Sequence, residues 1–158
     1  MRFKKHILAL SAVGFSAIVL APATGAATQA STATTLLRSV NHTRAAHGLR
    51  ALRIDTRLVR AARSHSLEML RGNYFSHGDF HGRMVAFHVQ GPTAGENLAW
   101  GNGRYAAPET VIAEWLASPE HRANLLRPGW TRIGIGLTRG TFLGNAAATI
   151  VTADFAGR

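Results

Sequence analysis

The residues of this chain best suited to metal binding or acid–base chemistry are its histidines and carboxylates. It carries eight histidines, eight aspartates and glutamates together, and no cysteine. The missing thiols exclude thiolate zinc sites and cysteine nucleophiles. No Gly-x-Ser-x-Gly elbow, phosphate loop or His-Glu-x-x-His segment occurs, so serine hydrolase, nucleotide-dependent and standard zinc-protease chemistries are poor readings. His77 and His81 form a His-x-x-x-His pair. Gly78 and Gly82 mark a loop there rather than a helix, and His81 is read as an exposed histidine. His65 lies on the apolar stripe of a helical segment and is read as a buried histidine hydrogen-bonded to a neighbour. His42, His47 and His88 read as surface or packing residues.

The elements that must position these groups follow from periodicity. Leu36, Leu37, Val40 and Ala45, with the stem of Arg44, share one helical face that Gly48 closes. A second helix is expected from Asp55, whose carboxylate suits the exposed amides of a first turn, through Leu58, Ala61, Ala62, His65, Met69 and Leu70 to Gly72 and Asn73. Tyr74 to Gly82 reads as a loop anchored by Tyr74 and Phe75, with a short helical segment over 83–89. Pro108 opens a third helix through Val111, Ile112, Trp115 and Leu116, and Ser118 with Pro119 stops it and starts a short helix to about Leu126. Residues 131–138 and 147–155 read as strands joined by a glycine-containing turn, an antiparallel hairpin. Helices first and a hairpin last give an α+β domain.

At the N-terminus Arg2, Lys4 and Lys5 precede an apolar stretch from Ile7 to Ala21 and a run of small residues. That order predicts a signal peptide and cleavage region over residues 1–30, since about 15 apolar residues fall short of the roughly 20 that span a bilayer. The protein is therefore expected to be secreted, or held in the cell envelope, with no transmembrane segment in the mature chain. Residues 31–35 are expected to be a flexible lead-in, and 36–156 a single domain. The formal charge of the whole chain is +10, and removing residues 1–30 leaves fifteen arginines against eight acids, or +7. Those arginines are scattered rather than clustered with aromatics, which argues against nucleic acid as a partner. The charge suits loose attraction to an acidic wall polymer or a lipid surface.

Seven segments, VNHTRAAHGLRALRID, AARSHSLEM, YFSH, GENLAWG, EWLASPEHRANLL, WTRIGIG and VTADF, stand in one order along the chain. Together they resemble the short, cysteine-free bacterial branch of the CAP superfamily (cysteine-rich secretory protein, antigen 5, pathogenesis-related; the SCP domain) over Leu36 to Phe155. The resemblance implies an α-β-α sandwich with a small antiparallel sheet between helical layers, and a further strand near Asn97 to Gly101. It also implies an open cleft floored by His77, Glu96 and His121. Where the family carries a second acid, three positions after Trp115, this chain has Ser118; Glu114 and Glu120 are near in sequence but do not occupy that place.

Two imidazoles and a carboxylate converging on one point would suit a divalent ion, most naturally zinc bound weakly through His77 and His121. Glu96 would then be the candidate base for a zinc-dependent hydrolase. The plainer reading is a hydrogen-bonded cleft floor. Asn97 is expected to brace Glu96, and Ser76 to brace His77. Trp100, Trp115 and Trp130 read as core or cleft-wall residues. The balance favours a monomeric binding module for a small-molecule, lipid or cell-wall ligand over an enzyme. A sterol or acyl-lipid carrier, with a groove near Thr141 to Ala148, is the remaining alternative.

Overall fold

A computed structural model describes residues 23–157. Five helices and a four-stranded sheet follow in the order α1 (Ala23–Ala46), β1 (Arg53–Ile54), α2 (Thr56–Gly72), α3 (Phe80–Ala86), β2 (Ala94–Gly101), α4 (Pro108–Ala117), α5 (Pro119–Leu125), β3 (Trp130–Phe142) and β4 (Asn145–Gly157), with a 3-10 turn at Gly103–Ala106. The sheet order is β1-β3-β4-β2, parallel only where β1 meets β3. The sheet lies between two helical layers, the expected α-β-α sandwich. Leu36 and Val40 of α1, Val111, Ile112 and Trp115 of α4 and Leu125 of α5 pack with Ile133, Ile135, Val151, Ala153 and Phe155 on one face. Leu58, Ala61 and Met69 of α2 and Met84 of α3 pack with Leu98, Ile150 and Ala156 on the other.

Helix α2 is built as its sequence demands. The Asp55 carboxylate accepts from the Arg57 amide at 2.8 Å, and Asn73 closes the helix in the left-handed region at φ 50°, ψ 43°. The helix lies so close to the sheet that a Cβ on Gly134 would stand 2.1 Å from the Leu58 carbonyl carbon, and one on Gly136 2.3 Å from that of Ala62. This approach lets the Ser66 and Thr152 hydroxyls hydrogen-bond at 2.9 Å between the layers.

Three expectations need correction. Residues 31–35 continue α1 instead of forming a flexible lead-in. Ala33 packs on the core, and the Thr34 and Thr35 hydroxyls donate to carbonyls one turn back, at 2.9 and 3.1 Å, so the polar composition is satisfied within a helix. The hairpin strands are longer than their alternating stretches, and only Leu143 and Gly144, both at positive φ, 47° and 79°, make the turn. Thr141 to Ala148 is therefore the hairpin tip, with Phe142 and Ala148 buried in the core and Asn145 on the border of a surface cavity. Of the expected signal region, residues 1–22 lie outside the described residues, and 23–30 belong to α1. No helix among the described residues is long and apolar enough to cross a membrane.

Candidate functional site

The edge strand β2 organises the site. Glu96 pairs with Asp154 across the β2–β4 ladder and Gly134 lies beyond it on β3, so this row of side chains faces α2. Asn97, one residue on, faces α4 and α5. The α2–α3 loop carries His77 to the Glu96 side, while α5 carries His121 to the Asn97 side. The two imidazoles thus approach each other around the free edge of the sheet.

Glu96 is buried and fully engaged. Its Oε1 accepts from His77 Nδ1 at 2.7 Å, and its Oε2 accepts a short hydrogen bond from the Arg83 guanidinium. His65, completely buried, donates from Nε2 to the Ser76 carbonyl at 2.9 Å, with the same nitrogen 4.0 Å from Glu96 Oε2. Behind Glu96 lies Asp154, fully buried, neither oxygen of which has an aligned hydrogen-bond partner among the described residues. Burial pushes the Asp154 carboxyl well above its ordinary range, and the Glu96 charge pushes it further against the opposite pull of Arg83. Two carboxyls sharing one guanidinium are best accommodated with Asp154 protonated.

His77 is more than half exposed, and its Nδ1 is committed to Glu96. That bond fixes the ring and leaves Nε2 turned away from the carboxylate. His121, half-buried, has its pKa lowered by burial and then by the proximity of His77. Its side chain makes no hydrogen bond among the described residues, and its carbonyl accepts from Asn97 Nδ2 at 3.0 Å. Asn97 Oδ1 accepts in turn from Asn124 at 3.0 Å. Asn97 therefore braces the His121 end, not Glu96, because strand alternation points it to the opposite face. The Ser76 hydroxyl accepts from the Gly78 amide at 3.1 Å instead of bracing His77, which it supports only through the loop. Ser118 sits at the α4–α5 junction without a side-chain capping bond.

Beside these residues opens a cavity of about 520 Å³. Phe75, Trp100, Tyr105 and Trp115 supply its aromatic wall, and Glu114, Ser118 and His121 much of its polar lining. The Trp115 indole donates to the Leu98 carbonyl at 2.9 Å, tying α4 to β2. Trp130 belongs to the core instead, stacked on Phe155 with ring centroids 6.1 Å apart. His81, His42, His47 and His88 are exposed and away from this lining.

The donor set does not fit a zinc ion held by three side chains. Among the described residues no group of three or more histidines and acids is placed to hold a metal, because Glu96 is spent on His77 and Arg83. Sequence reasoning missed Arg83 and Asp154, which appear in the chain as isolated charges. It named Glu114 only to set it aside, and the structure puts this residue one helical turn before Ser118 in the cavity lining.

With this geometry in place, comparison with known proteins gives the family. Residues 37–155 match the sequence profile described as "CAP: Cysteine-rich secretory protein family", and the chain belongs to that family. It is 40% identical over 101 residues to the uncharacterized protein YkwD of Bacillus subtilis, covering 61% of this chain and 38% of that protein. An extracellular SCP-domain protein of Bacillus anthracis superposes with a TM-score of 0.74 at 26% identity, over 88% of this chain and 44% of that one. An outer surface protein of Borrelia burgdorferi shares the fold, with a TM-score of 0.63 at 21% identity, over 79% of this chain and 92% of that one. The chain thus spans less than half the length of the two Bacillus relatives.

Proposed function

We propose that the protein acts outside the cytoplasm as a CAP-domain binding module that holds a small ligand in the cavity between β2, α4 and the α2–α3 loop. One observation carries this reading: an aromatic cavity of about 520 Å³ opens beside His121 and the oriented His77–Glu96 pair. Its size and mixed lining are those of a small-molecule site. Export is supported by the basic and then apolar order of the N-terminal residues and by the similarity to an extracellular protein of Bacillus anthracis and an outer surface protein of Borrelia burgdorferi. A hydrolytic role for Glu96 is disfavoured, since a base must be free to take a proton and this carboxylate is held by a guanidinium. A divalent ion would meet two imidazoles, His77 and His121, and remain mostly hydrated, a weak and dispensable contact.

Nitrogen–proton NMR of the folded protein, titrated with sugars, muropeptide fragments, amines and acyl chains, tests the reading. Shifts confined to Trp100, Tyr105, Trp115 and His121 are expected for at least one class, and lost in Trp100→Ala. Shifts elsewhere only, or none, would remove the cavity from consideration. Zinc calorimetry comparing wild type with a His77→Ala, His121→Ala double variant tests the ion separately; equal heats refute the two-imidazole contact.

A further inference from the structure

The cavity is charged asymmetrically for a basic protein. Among the described residues Glu114 is the one carboxylate in its lining, and no lysine or arginine lines it. Among the described residues the Glu114 carboxylate makes no hydrogen bond and no ion pair, in a chain with 18 lysines and arginines. His121 is no substitute counter-ion: burial and the neighbouring His77 both favour its neutral form. Glu114 shares the cavity lining with aromatic rings, of which Phe75 and Tyr105 are exposed, 40% and 56%. Aromatic faces carry negative quadrupole charge and attract cations. The rim already does so, since the Arg104 guanidinium lies over the Tyr105 ring, 5.0 Å from its centroid.

Resting on the reading of this cavity as a ligand site, we propose that its ligand is a small organic cation, an ammonium or quaternary ammonium group set between Glu114 and the rings of Phe75, Trp100 and Tyr105. An anionic ligand would face the carboxylate and the ring quadrupoles, and the rim cation Arg104 is already engaged with the Tyr105 ring and hydroxyl. A purely apolar one would leave Glu114 partly desolvated with no partner. A cation satisfies both the carboxylate and the rings, and its apolar substituents fill the wall.

The test compares choline with 3,3-dimethylbutan-1-ol, a neutral molecule of nearly the same shape, by quenching of tryptophan fluorescence in the full chain. Wild type is expected to bind choline at least about tenfold more tightly than the alcohol, as one carboxylate contact and one cation–π contact together imply. Glu114→Gln, on an exposed helix position, should fold normally and bring the two ligands to within about twofold. Equal affinities in wild type, or a choline preference that survives Glu114→Gln, would overturn the cation assignment while leaving the cavity as a ligand site. Binding of neither probe would overturn it too, and the NMR titration would then decide whether the cavity binds anything.

Discussion

Asp154→Asn probes the least expected group in the site. The wild-type carboxyl is fully buried under α2, beside a Glu96 that already holds the negative charge balancing Arg83. Burial and Glu96 therefore raise the Asp154 pKa well above its ordinary 3.8. The folded protein keeps this proton at a pH where the unfolded chain has released it. Linkage then gives the sign: the stability associated with Asp154 is complete below its unfolded pKa and drains away as pH rises toward the folded value. The slope is about 1.4 kcal/mol per pH unit while that window lasts. Asparagine has nearly the same shape and has no proton to lose. Urea unfolding followed by tryptophan fluorescence between about pH 4 and pH 7 should show the variant gaining on wild type by up to about 1.4 kcal/mol for each unit. A difference that stays constant across this range, or wild type gaining on the variant as pH rises, would show that Asp154 is ionised in the fold and refute the reasoning.

Other perturbations have comparably definite outcomes. Arg83→Met leaves Glu96 buried without its cation and should cost about 3–5 kcal/mol in urea unfolding; a loss under about 1 kcal/mol would mean that Glu96 is adequately held by His77 alone. Gly136→Ala drives a methyl into the backbone of α2, where the obstruction is 2.3 Å away and cannot rotate aside, and should lower stability by about 1–3 kcal/mol or more; an unchanged unfolding midpoint would contradict this close approach. Trp115→Phe removes the indole donor to the Leu98 carbonyl and should destabilise by about 1–3 kcal/mol; faster amide exchange along β2 but not β1 would localise the loss. In an NMR titration the His121 imidazole should protonate below the ordinary histidine range, and His77→Ala should move its midpoint upward; no upward movement would show that the rings do not sense each other.

Much of this was legible in the sequence because it depended on local chemistry. Asp55 caps α2, Asn73 ends it, and Ser118 with Pro119 divides α4 from α5, each through a residue whose backbone preference or side-chain acceptor acts within a few positions. The meeting of His77 with Glu96 was implied only by resemblance to a family, and the structure makes it a direct hydrogen bond. What escaped were interactions set by strand register and layer packing. Nothing in the segment VTADF distinguishes Asp154 from an ordinary surface acid until the ladder places it opposite Glu96. Arg44 likewise reads as an amphipathic stem, yet it is completely buried, with its guanidinium donating to the carbonyls of Arg50, Leu125 and Arg127. Asn97 was assigned to the wrong partner because its face depends on the pleat. The α1 extension was missed because an Ala, Ser and Thr composition suits a linker as well as a helix.

The position of β2 at the margin of the sheet has a bearing on solubility. An unpaired strand is a template on which another chain can add its own backbone, and here the Trp115 indole and the helices around the cavity stand over that margin. A variant that loosens α4 to enlarge the cavity would uncover the same hydrogen-bonding groups, so broader ligand acceptance and a tendency to aggregate should rise together.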